Sequence, residues 1–170
     1  MPDDYYGQLG VGAERVTHNL PKVCSFNIKV GYVSCGDDHT VFVSAPSEGA
    51  YVYAMGNNAE GKLGVGSVKN MNCIVPTLVE GIRGISKVSC GGSHTLALSL
   101  TGEAYSWGQA YYGALGVNTN KNQIKPIQVP GLDFVTDISA GGRHSLFLTE
   151  VSKVFACGDA SQGQLGLQLQ

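Results

Sequence analysis

Apolar residues along this chain come in short runs that alternate with small or polar ones, and Gly, Asn, Ser and Asp separate the runs. One such stretch reads Val33-Ser34-Cys35-Gly36-Asp37-Asp38-His39-Thr40-Val41-Phe42-Val43. Its counterparts are Val88-Ser89-Cys90-Gly91-Gly92-Ser93-His94-Thr95-Leu96-Ala97-Leu98 and Ile138-Ser139-Ala140-Gly141-Gly142-Arg143-His144-Ser145-Leu146-Phe147-Leu148. Phe42, Ala97 and Phe147 lie between flanking aliphatics, the pattern of strands buried on both faces rather than of a sheet with one wet side. A helical period is absent from any window of about eleven residues, the shortest that defines one. The pattern predicts an all-β chain.

The segments recur in a fixed order. A second strand repeats as Val52-Tyr53-Ala54-Met55-Gly56, Ala104-Tyr105-Ser106-Trp107-Gly108 and Val154-Phe155-Ala156-Cys157-Gly158. A third is marked by Pro21, Pro76 and Pro126, each followed by Val23, Val79 or Val129. Between these strands stand four turns, Gly7-Gln8-Leu9-Gly10, Gly61-Lys62-Leu63-Gly64, Gly113-Ala114-Leu115-Gly116 and Gly163-Gln164-Leu165-Gly166, spaced 54, 52 and 50 residues apart. A period near fifty residues with four strands per unit predicts a radial β-propeller, whose blades bury their apolar faces on their neighbours. Residues 1–170 read as one partial propeller of about three four-stranded blades, twelve strands in all, with turn motifs at 7–10, 61–64, 113–116 and 163–166.

Composition sharpens this. Charged residues make up 14%, against roughly 25% in an average domain, as expected where blades bury both faces. The 24 glycines fall mostly at equivalent positions between strands, where they supply left-handed turns or close backbone approach. A net charge of −2 without a basic run argues against a nucleic-acid footprint. Acidic Met1-Pro2-Asp3-Asp4 does not resemble a signal peptide, and no long apolar run predicts a membrane span. Cys24, Cys35, Cys73, Cys90 and Cys157 lack metal-binding spacing and are odd in number. They read as reduced thiols of a cytoplasmic or nuclear protein, with Cys35, Cys90 and Ala140 sharing a slot that favours a small buried residue.

The order Gly-x-Leu-Gly, Pro-containing strand, Val-Ser-Cys-Gly-Gly-x-His-Thr-Leu-x-Leu, Tyr-x-Trp-Gly resembles the regulator of chromosome condensation repeat, most closely over Ser89 to Leu98 and Tyr105 to Gly116. The resemblance implies a propeller of about seven blades. This chain carries about three blades' worth and starts within a turn, Asp4-Tyr5-Tyr6-Gly7 resembling Ala110-Tyr111-Tyr112-Gly113. It therefore reads as part of a larger protein or assembly, completed by further blades or by self-association, since an open arc leaves apolar faces and strand edges uncovered.

His39, His94 and His144 share one slot in successive units, which points to hydrogen bonding between strands or blades rather than to a metal site. Cys35 with His39, and Cys90 with His94, place a thiol near a base, but an active site is singular whereas packing is repeated. Gly7-Gln8-Leu9-Gly10 lacks the Lys and the helix of a phosphate loop. Trp107 shares its slot with Met55 and Cys157, a core pattern. The residues that vary between units are the candidate partner contacts: Asp37, Asp38 and Arg143 before the histidines, and Tyr111 and Tyr112 before a Gly-x-Leu-Gly turn, a pair that recurs as Tyr5-Tyr6 but is Ala59-Glu60 and Ser161-Gln162 before the other two turns. The chain is read as a non-catalytic protein-interaction module without cofactor or metal, whose partner is a protein rather than nucleic acid or membrane. The alternative, implied by the resemblance, is a guanine nucleotide exchange factor or regulator acting on a small GTPase. No unit carries the long insertion that a wedge into a nucleotide site would need.

Overall fold

The computed structural model describes residues 6–11, 19–24, 26–68 and 72–166; Met1–Asp4 and Tyr5 lie outside them. Eleven strands form three antiparallel sheets. The first sheet holds β1 (Val30–Cys35), β2 (His39–Ser44), β3 (Val52–Asn57) and β4 (Asn72–Leu78) in that order. The second holds β5 (Ile85–Cys90), β6 (His94–Ser99), β7 (Ala104–Gly108) and β8 (Gln123–Gln128). The third holds β9 (Val135–Ala140), β10 (His144–Thr149) and β11 (Val154–Gly158). The only helical segments among the described residues are single 3-10 turns at Pro46–Glu48, Ala59–Gly61 and Tyr111–Gly113.

Two details differ from the sequence reading. Pro76 and Pro126 stand in the outermost strands β4 and β8, an edge position that tolerates a residue without N–H. The Pro21 segment forms no strand, because no third strand of a preceding unit lies beside it among the described residues. The third sheet accordingly shows three strands, giving eleven rather than twelve.

The sheets stack through their first two strands: β1 and β2 pack on β5, and β5 and β6 pack on β9. This is the fan of a propeller, with inner strands converging and outer strands apart. Val41, Val43, Val52 and Ala54 of the first sheet share a core with Val88, Cys90, Ala97 and Trp107 of the second. Leu96, Leu98 and Ala104 of the second meet Ile138 and Phe147 of the third. Every residue of β2 and β6 is buried. In β10 burial alternates, with Ser145, Phe147 and Thr149 inside, because nothing among the described residues covers its other face. Leu63 and Leu115, at the centres of the repeated turns, are no more than 1% exposed; burying such a side chain contributes roughly 1.5–3 kcal/mol. Both turn glycines are left-handed, Gly61 at φ 79° and Gly64 at φ 74°, a region costly for residues with a Cβ.

The Phe26 ring stacks on Phe42 with centroids 5.0 Å apart, covering part of the first sheet's other face. Val33 remains 57% exposed there.

Candidate functional site

Strand direction sorts the loops into two ends. The β1–β2, β5–β6 and β9–β10 hairpins share one end with the Gly-x-Leu-Gly turns, and the β2–β3, β6–β7 and β10–β11 turns lie at the other.

The repeated polar groups are consumed between sheets. His39 Nε2 lies 3.0 Å from Thr95 Oγ1 of the next sheet, and His94 Nε2 lies 2.9 Å from Ser145 Oγ. Each hydroxyl donates its one hydrogen to a turn carbonyl: Thr95 to Lys62 O at 2.9 Å, Ser145 to Ala114 O at 2.7 Å, and likewise Thr40 to Gln8 O at 2.7 Å. The hydroxyl must then accept from the imidazole, which makes Nε2–H the donor and leaves Nδ1 unprotonated. His39 Nδ1 is buried with no hydrogen-bonding partner among the described residues. Burial, reinforced by the Lys62 and His94 charges, pushes the His39 pKa from 6.5 down to about 3. Burial and His144 bring His94 down to about 4. The serine before the Cys/Ala slot adds a parallel bond, Ser34 Oγ accepting from Cys90 N at 3.0 Å and Ser89 Oγ from Ala140 N at 2.9 Å.

Two of the thiols lack the character of nucleophiles. Burial pushes the Cys90 pKa up to about 12 and that of Cys157 up to about 11, so neither supplies thiolate near neutral pH. Cys35 is exposed although its counterpart Cys90 is buried; the shared slot is buried only where a preceding sheet covers it. Trp107 is fully buried, its Nε1 donating to Lys62 O at 2.9 Å. Among the described residues, no group of three His, Cys, Asp or Glu is placed to hold a metal ion, and no helix is long and apolar enough to cross a membrane.

The five residues singled out as candidate contacts all sit at the hairpin end, but the structure divides them. Asp38 is no free surface charge: its Oδ1 lies 2.6 Å from Lys62 Nζ, and the Lys62 side chain is 5% exposed. Lys62 was missed in the sequence, yet it left a signal. The other turns carry Gln8, Ala114 and Gln164 at that position, and the other hairpins carry Ser93 and Arg143 where Asp38 stands. Two motifs are thus broken by opposite charges in one unit. Removing one member of a buried pair strands the other. Asp38→Asn is expected to cost about 2 kcal/mol in urea denaturation, less than a fully buried pair because Asp38 is a quarter exposed. Adding Lys62→Gln, the residue of the other turns, should restore most of it; a double variant as unstable as the single one would contradict this account.

Tyr111, Tyr112 and Arg143 come together. The Arg143 guanidinium lies over the Tyr112 ring at 5.1 Å, and Nη1 donates to Tyr112 Oη at 3.2 Å. Tyr111 meets Tyr112 edge-on at 4.3 Å and stays 64% exposed. Tyr112 has φ 64°, as does Glu60 in the preceding unit. Asp159 is adjacent: hydrogen bonds from Ser161, then the Arg143 charge, hold its carboxyl below the usual range. Asp37 is exposed in the first hairpin. This end offers aromatic area, the Arg143 cation and acidic groups on a rigid frame, features suited to recognition.

The profile of the Regulator of chromosome condensation (RCC1) repeat matches residues 3–43, 50–98 and 101–148, and a second profile of the same repeat matches 85–114 and 135–164. The chain belongs to the RCC1 repeat family. It is 35% identical over 120 residues to the E3 ubiquitin-protein ligase HERC2 of Homo sapiens, covering 67% of this chain and 2% of that protein. It is 37% identical over 118 residues to the serine/threonine-protein kinase Nek9 of Xenopus laevis, covering 67% of this chain and 12% of that one. The chain thus spans a small part of the curated relatives it matches. Its fold resembles the crystal structure of human WBSCR16 with a TM-score of 0.73 and 26% identity, over 91% of this chain and 40% of that one. In this RCC1-repeat chain, the histidine, the hydroxyl after it and the glycine turn are accounted for by the bonds that join one unit to the next.

Proposed function

We propose that this chain is a non-catalytic protein-interaction module that docks its partner at the hairpin end, through Tyr111, Tyr112, Arg143 and Asp37. The observation that carries the proposal is the separation of roles. The repeated His, Ser and Thr are spent on bonds between sheets, whereas charged and aromatic residues that vary from unit to unit gather exposed at one end. The relatives support the reading. A segment resembling this chain recurs in a ligase and in a kinase while making up 2% and 12% of them, and one shared segment does not account for two different chemistries.

The test uses Asp37→Lys and Arg143→Glu, leaving Asp38 alone because it holds Lys62. Partner proteins are first identified by crosslinking to the chain, and the two variants are then compared with wild type against each purified partner. Both are expected to keep the wild-type melting temperature and to bind at least tenfold more weakly, mostly through the association rate at low salt. Unchanged affinity in both would end the assignment to this face. Nucleotide release from a panel of small GTPases is expected to stay at its intrinsic rate; acceleration abolished by these substitutions would replace docking with exchange.

A further inference from the structure

The opposite end of the sheets carries a second surface that the repeat does not require. Leu100, Phe134 and Val151 reach it and are 68%, 62% and 66% exposed. The residue before the inner strand is Gly84 in the second sheet, at φ 62°, and Phe134 in the third, at φ 49°. A side chain is disfavoured in this left-handed region, and Phe134 gains little burial in return. Packing does not explain the residue; strain held at an exposed aromatic points to use.

The three side chains belong to joined loops. Leu100 N donates to Gly84 O at 2.8 Å, Val135 N to Gly102 O at 2.9 Å, and Glu150 N to Phe134 O at 3.0 Å. Leu100 belongs to the second sheet, flanked on both sides by neighbours, so its exposure is not that of an uncovered sheet face. Glu80, Glu103, Asp133 and Glu150 lie exposed in these loops, against the two exposed cations Arg83 and Lys153, so acids outnumber bases two to one.

We infer that this end binds a basic amphipathic protein segment, with Phe134 and Leu100 as apolar anchors and Glu103, Asp133 and Glu150 receiving its Lys or Arg side chains. Acidic groups around an apolar centre select a partner of opposite charge. They also disfavour a second copy, because a two-fold contact would set the same acids against each other. This surface shares no residue with the hairpin end, so either assignment can fail alone.

The full chain is titrated against a fluorescein-labelled amphipathic peptide of Leu and Lys, with a Leu/Glu twin as control, reading anisotropy. The expected result is saturable binding of the Leu/Lys peptide and none of the twin. Phe134→Gly, which installs the residue the preceding unit already uses, should bind at least tenfold more weakly while melting at or above the wild-type temperature. Glu150→Lys should weaken binding with unchanged melting. Equal binding of both peptides, binding that ignores Phe134→Gly, no saturation, or a clear fall in melting temperature for Phe134→Gly would each overturn the proposal. So would a dimer in sedimentation that Phe134→Gly dissolves.

Discussion

Lowering the pH from about 7 to about 4.5 is expected to remove about 5 kcal/mol of folding stability through two histidines alone. His39 and His94 have folded pKa values near 3 and 4, below the ordinary 6.5. Both are neutral in the folded state across this range, while the unfolded chain takes up a proton at each as pH falls through 6.5. The folded state therefore holds its full advantage above the unfolded pKa and loses it on acidification, at up to about 2.7 kcal/mol per pH unit for the pair. The loss slows near pH 4 as His94 begins to titrate in place. Such a loss is comparable to the whole stability of many domains, about 5–15 kcal/mol. The physical cause is burial beside a hydroxyl whose hydrogen is already committed to a turn carbonyl. A protonated His39 ring would place a charge where its Nδ1 has no acceptor among the described residues. Urea denaturation at several pH values checks this. A His39→Gln/His94→Gln variant, starting from lower stability at neutral pH, should show a much flatter profile between 6.5 and 4.5. A slope as steep as wild type in that variant would assign the acid sensitivity elsewhere.

Gly91→Ala is expected to cost about 4 kcal/mol, near the upper end for single substitutions. An added methyl would stand 2.5 Å from Gly141 O and 2.6 Å from His94 Nδ1, closer than real Cβ contacts come. Neither neighbour can yield cheaply: one is backbone of the next sheet, and the other is a ring held at 2.9 Å from Ser145 Oγ. Gly36 is placed alike, 2.5 Å from Gly91 O and from His39 Nδ1. Neither glycine has a positive φ, so the constraint is close approach and not the left-handed turn that fixes Gly61 and Gly64. Gly142, one residue on from the equivalent position in the third sheet, has nothing within 4 Å of an added Cβ. Gly142→Ala should shift the urea midpoint little. Equal losses at Gly91 and Gly142 would refute the contact account.

The all-β class, the strand order and the repeat unit were legible in the sequence because each is written locally: a two-residue period marks a strand, and Gly61 and Gly64 mark a turn wherever they stand. The ring-and-hydroxyl chemistry was visible only as recurrence, and recurrence alone could not say what His39 touches. Its partner Thr95 lies 56 residues away, in another sheet, where no local pattern reaches. The same holds for Asp38. The sequence marked it as a singular charge, but only the packing of the Lys62 turn beneath its hairpin made it half of a buried pair. Burial was likewise decided by neighbours: Cys35 and Cys90 share a motif, yet one is exposed and the other covered by the preceding sheet. The sequence by itself determined which residues repeat, since each unit encodes its own strands and turns. The tertiary structure decided which residues are consumed and which remain free, because a blade buries its faces only against another blade.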